Sequence, residues 1–249
     1  MSSDRIVAIS QPYYFPWLGA CEIYSLADTY VFLDDVNFQK QGLNNRIRIK
    51  SSEGLKWMTV QLTKSSRNMH INMTSTFDFQ ETKRNHLSLF SKCYESSPFV
   101  EEALDVLRTG LEVNGEVLSD VAINSEKALF GFFKALGEKE IVLSSKLNRR
   151  LKGSQGVLEI VQLLKGNVYL TAHGAANYLD HEDFERNGIE VRYMNYGLIE
   201  YPQQFGQFTP YVSGLDAIAN VGQDAKTLLS LETISWRDFL ANLEKSSPQ

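Results

Sequence analysis

The stretch from Ile6 to Leu33 constrains the fold more than any other part of this chain. Ile6 to Ile9 is a short apolar run that reads as a buried strand. Gln11-Pro12 ends it, because proline cannot donate into a central ladder. Pro16 then leads into Trp17-Leu18-Gly19 and an amphipathic stretch to Ala27, which reads as a helix. Thr29 to Leu33 (TYVFL) is β-branched and aromatic and reads as a second strand. Strand, loop, helix and strand in that order make a βαβ unit, whose two strands pair in parallel.

The alternation returns in the second half. Ile141–Leu143, Val168–Thr171 and Ile189–Met194 read as strands, with helices over Gln155–Leu164 and Tyr178–Arg186 between them. Five parallel strands joined by crossover helices predict an α/β fold, a mostly parallel, Rossmann-like doubly wound sheet. Between the halves, Arg46–Lys50 and Trp57–Leu62 alternate on either side of Glu53-Gly54 and predict a β-hairpin. A polar loop over Thr63–Asn68, a strand over Ser75–Phe79 and helices over Thr82–Cys93, from Ser97-Pro98 to near Gly110, and over Leu118–Leu136 follow. The chain thus reads as one α/β domain over residues 1–249, with 42–138 as a hairpin plus helical insertion. An aromatic-rich tail from Tyr201 to Asn220 ends in a helix, and Ser246–Gln249 reads as a frayed end.

Composition removes several classes of function. A net charge of −5 leaves no basic surplus for a phosphate backbone, which disfavours nucleic acid as the main ligand. Cys21 and Cys93 make neither a disulfide framework nor a metal site. No signal peptide and no run of about 18 apolar residues is visible, so a soluble, reducing, cytoplasmic setting is expected.

In open α/β sheets ligands bind outside the carboxyl ends of the strands. Ser10, Gln11, Tyr13 and Tyr14 follow the first strand, and Asp34, Asp35 and Asn37 the second. Ser144-Ser145, His173-Gly174 and Asn195-Tyr196 follow the other three. Loops are polar in any protein, which accounts for Ser144 and Asn195 but less well for an aspartate pair directly on an aromatic strand. QPYYFPWLG, Gln11 to Gly19, places aromatic rings between two prolines. Such rings either stack on a sugar or base or plug the core. Asp34-Asp35 fits a divalent metal, a general base or sugar hydroxyls, and on an extended backbone only one of the two faces the rim. Asn44, Asn45, Arg46 and Arg48 form a polar, basic patch, with both arginines on one strand face, suited to a phosphate or carboxylate or simply to solvent. Of four histidines, His173 stands at a strand end and His86 on a helix, and no pair has metal-ligand spacing. There is no Gly-x-Gly-x-x-Gly and no P-loop. The turn Gly153–Gly156 suits either an anion or an ordinary cap.

Several of these segments resemble the WbqC-like family: Ala8–Gly19, Ala27-Asp28, Phe32–Phe38, Asn45–Lys50, His173-Gly174 with Tyr178–Asp180, Tyr201–Gln203, Phe208 and Ser213–Asp216. The likeness covers nearly the whole chain. It departs at Ser10, where many members carry histidine, and at Ala20, where an aromatic residue is common. The resemblance implies a step on an amino sugar in O-antigen or other surface-polysaccharide synthesis, with transfer of glycine or a related aminoacyl group favoured.

Three functions follow. The leading one is an acyl or aminoacyl transferase on a nucleotide-linked amino sugar. His173 is its base, with His86 or Asp34 in reserve, and the Gly174 backbone and Arg46 are its oxyanion donors. Tyr14 and Trp17 stack on the sugar or base, and Ser10, Gln11, Tyr13, Asp35, Asn45, Arg48 and Tyr178 complete substrate binding. Its partners are the nucleotide sugar and an activated amino acid, with a charged tRNA as the one nucleic-acid donor that fits. The second is an ATP-dependent adenylate-forming ligase or nucleotidyl transferase, which uses ATP with magnesium. The third is a non-catalytic sugar-binding or scaffold protein. A homo-oligomer or a complex with a sugar-modifying enzyme is compatible with each. No cofactor is fixed by the sequence.

Overall fold

The computed structural model describes residues 4–64, 69–133 and 139–246. Five strands lie parallel: β1 (Ile6–Ser10), β2 (Thr29–Phe32), β5 (Glu140–Leu143), β6 (Val168–Thr171) and β7 (Glu190–Met194). A sixth, β8 (Thr233–Ser235), closes one edge antiparallel to β7. The order across the sheet is β5-β2-β1-β6-β7-β8. The chain thus winds outward from β1 in one direction, returns, and winds outward in the other. The point of reversal falls between β1 and β6, where the segments that follow the two strands pack into opposite cores and leave a crevice.

Strand side chains alternate between two cores, as a period of two requires. Ala8, Tyr30, Leu170 and Met194 face one core, and their neighbours Val7, Val31, Tyr169 and Tyr193 face the other. The second core is covered by α5 (Gly153–Leu163), α6 (His181–Arg186) and α8 (Trp236–Ser246). In α5 the buried residues Val157, Ile160 and Val161 recur at helical spacing and make the apolar stripe. The first core is larger. It takes α1 (Leu18–Leu26) and the long excursion between β2 and β5: a hairpin of β3 (Arg46–Ser51) and β4 (Gly54–Thr59), then α2 (Phe79–Cys93), α3 (Val100–Gly110) and α4 (Leu118–Phe132). The helix α7 (Gly214–Val221) packs on the same side. The hairpin points Ile47, Ile49 and Met58 into that core and keeps Arg46, Arg48 and Trp57 on its other face.

Local chemistry moved several boundaries. No strand forms over Ser75–Phe79; single bridges, Leu62–Thr76 and Ser75–Val117, hold that segment. Asp78 turns the chain with a φ of 41° and accepts a hydrogen bond from the Glu81 N–H to cap α2. Helix α6 begins at His181 rather than Tyr178, because Asp180 caps it through the Asp183 N–H. The second hairpin strand begins at Gly54, whose φ of 101° makes the turn tight. The expected end of α4 at Leu136 and part of the Thr63–Asn68 loop lie outside the described residues. No helix among the described residues is long and apolar enough to cross a membrane.

Candidate functional site

The loop from Gln11 to Trp17 joins β1 to α1 beside the crevice, and its main chain is clamped from several directions. Tyr13 N–H donates to the Glu126 carboxyl, and Phe15 N–H donates to Ser125 Oγ at 2.9 Å, both on α4. Tyr14 N–H reaches the Leu43 carbonyl at 2.9 Å, and Asn44 Nδ2 donates to the Pro12 carbonyl at 2.8 Å. At the start of α7, Ser213 Oγ donates to the Phe15 carbonyl at 2.8 Å and Gly214 N–H to the Pro16 carbonyl at 2.7 Å. These bonds hold Phe15 at a φ of 39°, a conformation a bulky residue adopts only where its surroundings impose it.

The clamp sorts the rings. Tyr14 and Phe15 are fully buried, and Tyr14 Oη pairs with His86 Nδ1 at 2.7 Å. Tyr13 and Trp17 turn the other way and line a cavity of about 330 Å³ over the point of reversal. Ser10 and Tyr30 from the β1 and β2 side, and His173 and Gly174 from the end of β6, complete its polar wall. Tyr196 and Tyr211 close it, each packed on Trp17 with ring centroids 4.8 Å and 5.5 Å away. His173 Nε2 bonds the Met194 carbonyl at 2.8 Å, and its ring lies 5.0 Å from that of Tyr196. A carbonyl only accepts, so Nε2 carries the hydrogen and Nδ1 holds the lone pair of the neutral ring. Burial pushes the Tyr13 phenol up from its ordinary value, and the Glu126 carboxyl adds to the shift, so this hydroxyl stays a neutral donor at the cavity wall.

Other expected site residues lie elsewhere. His86 is buried and faces a separate cavity of about 400 Å³ between β4 and α2. Burial pushes its pKa down to about 4, opposed in part by a bond to the Thr59 carbonyl, which makes it a poor base at neutral pH. Asp34 is buried as a brace between strand ends. It accepts from Ser145 N–H at 2.9 Å, Ser145 Oγ at 2.7 Å and Asn72 Nδ2 at 3.3 Å. Asp35 accepts from Arg149 at 2.5 Å and from the Ser144 hydroxyl. Burial alone would raise the Asp35 carboxyl, but those two bonds outweigh it and hold the group below its ordinary value. Asn45 is buried and donates to the Val60 carbonyl at 3.0 Å. Arg46 and Arg48 sit over Trp57, 4.5 Å and 5.5 Å from its ring, and Arg46 also binds the Gly42 and Gln41 carbonyls. Gln11 accepts from Asn44 at 3.4 Å, and Tyr178 stands 52% exposed just past the turn that carries His173. Among the described residues, no group of three or more His, Cys, Asp or Glu is placed to hold a metal ion.

The sequence reading missed Tyr211 and two carboxyls, Glu22 and Glu126. Both carboxyls left a trace: Glu126 stands on the apolar stripe of α4 with Ala122, Leu129 and Phe130, and Glu22 is the sole charge of α1. A charge on the buried face of a helix is the signal.

Fold and site together define a Rossmann-like α/β protein with a ring-sized, aromatic cavity at the switch point of its sheet. The chain belongs to the WbqC-like protein family, which it matches over residues 11–228. It is similar to the uncharacterized protein Rv1507c of Mycobacterium tuberculosis, 28% identical over 227 residues, which span 90% of this chain and 96% of that one. No solved structure matches it significantly.

Proposed function

We propose that this protein is an enzyme that transfers an acyl or aminoacyl group, glycyl in the favoured form, to the amine of a nucleotide-linked sugar in surface-polysaccharide synthesis. The observation that carries this reading is the pairing of the aromatic cavity with His173, whose Nδ1 holds a free lone pair. Aromatic faces suit the apolar side of a sugar ring, and about 330 Å³ is at the low end of ligand pockets, so the ring enters and the nucleotide stays outside. In the reaction the sugar amine attacks the acyl carbon of the activated donor, and His173 Nδ1 takes the amine proton. The tetrahedral intermediate collapses as the bond to the donor's leaving group breaks, and that proton departs with the leaving group.

The same geometry weighs against an ATP ligase of the dinucleotide-fold type. Such proteins hold phosphates on an open helix N-terminus after the first strand. Here the Trp17 indole covers the first turn of α1 so closely that a Cβ on Gly19 would lie 2.3 Å from it. Thermal unfolding with UDP-glucosamine, UDP and ATP tests the choice. A ligand at 100 times its Kd adds about 2.7 kcal/mol, a rise of about 5–11 °C for a chain of this size. The amino-sugar conjugate is expected to give that rise, with UDP and ATP giving little. A rise with ATP alone favours the ligase, and silence throughout favours a scaffold.

A further inference from the structure

A second void, of about 10 Å³, adjoins the ring cavity and shares Trp17 and Leu198 with it. Ile199, Phe208 and Leu228 make much of its remaining wall apolar. Glu22 reaches it from α1 and is only 3% exposed. One carboxyl oxygen accepts from the Ser230 N–H at 3.0 Å, while Oε2 is buried with no partner among the described residues. Tyr201, the other side chain with an oxygen at the void, already donates its hydroxyl to Asp216 at 2.8 Å.

A space of this size takes one water-sized group. A water needs several polar partners, and the side chains here offer it little beyond Glu22. A buried carboxyl oxygen is best completed by a charged donor, and the Trp17 face beside it suits a cation. The geometry points to a subsite, formed by Glu22 and Trp17, that takes the protonated amine of a substrate whose body lies in the ring cavity. This inference rests on the sugar-binding reading of that cavity. Burial pushes the Glu22 carboxyl up to about 7 against the Ser230 bond, so an arriving ammonium draws it fully into the charged form. Selection then favours a free amine over an N-acylated or hydroxyl counterpart. The amine belongs either to the sugar, where it passes one proton to the Glu22 carboxylate before it attacks and the second to His173, or to an aminoacyl donor.

Calorimetric titration separates these. UDP-glucosamine, UDP-N-acetylglucosamine and UDP-glucose probe the sugar amine, and glycinamide against acetamide probes the donor. Each is titrated into the wild type, Glu22→Gln and Glu22→Met, with thermal unfolding to verify folding. The inference predicts that the wild type binds an amine probe about ten-fold or more tightly than its counterparts, and that both variants lose the preference. The pair that carries the preference identifies the source of the amine. Sugar conjugates that bind while neither pair shows an amine preference, or a preference that survives in both variants, overturn the subsite and leave the sugar cavity standing. Failure of every probe to bind the wild type overturns both.

Discussion

His173 Nε2 lies 2.8 Å from the carbonyl oxygen of Met194, a bond that ties the end of β6 to the end of β7 and fixes the tautomer of the ring. The same bond orients the imidazole against Tyr196 and leaves Nδ1 as the only ring atom able to accept a proton. His173→Ala is expected to lower kcat of aminoacyl transfer by about 10²- to 10⁴-fold, the usual worth of a general base. The residue is exposed at the cavity wall, so the melting temperature is expected to change little. Single-turnover kinetics with saturating donor isolates the chemical step, and an undiminished rate removes His173 from the role of base.

Asp34 is expected to matter for folding rather than for ligand binding. Its carboxylate is buried and taken up by Ser145 and Asn72, with the Ser144 hydroxyl 3.1 Å away. Asp34→Ala strips several buried donors of their acceptor at once, for a loss of about 3 kcal/mol in urea unfolding. Ligand affinity measured well below the unfolding transition is expected to persist. A variant of full stability that fails to bind would instead make Asp34 part of the binding site.

The Tyr14–His86 pair gives the opposite kind of test. Both residues are buried, and their polar atoms meet at 2.7 Å between the β1–α1 loop and α2. Tyr14→Phe leaves His86 Nδ1 without that partner and is expected to cost about 1–3 kcal/mol of stability. It touches no wall of the switch-point cavity, so a thermal shift caused by UDP-glucosamine is expected to survive undiminished. Loss of that shift in a folded variant would place Tyr14 in ligand binding after all.

These contrasts mark how far the sequence was legible. The βαβ opening and the three later strands follow from apolar runs and punctuation, because a buried parallel strand has little choice of composition. The edge strand β8 does not, since three residues leave no period to read. Of the QPYYFPW loop, the sequence announces rigidity but not direction. Which ring faces the cavity is decided by partners far away in the chain: Ser125 and Glu126 on α4, and Ser213 and Gly214 on α7. Three of the segments that resemble the family, Ala8–Gly19, Asn45–Lys50 and Ser213–Asp216, are joined by hydrogen bonds from Ser213 and Gly214 to the Arg48, Phe15 and Pro16 carbonyls. Asn44, just before the second, clamps Pro12, and Ser213 clamps Phe15. Asp34 and Arg46 look like site residues because their types suit chemistry, yet long-range contacts use them as a brace and as a cover for Trp57.

Glu126 makes the pH dependence of stability predictable in sign. It is fully buried on α4, within 3.3 Å of Tyr30 Oη, and burial pushes its carboxyl well above the ordinary value of 4.5, with the Tyr13 and Tyr30 bonds opposing only in part. The native state therefore keeps a proton that the unfolded chain releases above about pH 4.5, so stability falls as pH rises until the folded pKa is passed. Glu22 acts in the same direction up to about pH 7. His86, whose pKa is depressed to about 4, acts in the opposite direction and weakens the fold only below the unfolded histidine value near 6.5. Above pH 6.5 the carboxyls act without that opposition. Glu126→Gln keeps the shape and an acceptor for Tyr13 N–H but has no proton to lose. Denaturant unfolding from pH 6.5 to 8.5 is thus expected to give a wild type that weakens relative to Glu126→Gln as pH rises, by at most about 1.4 kcal/mol per pH unit, the slope of one proton. Parallel pH profiles for the two proteins would mean that Glu126 is ionised in the native state and held by its two donors as a buried anion.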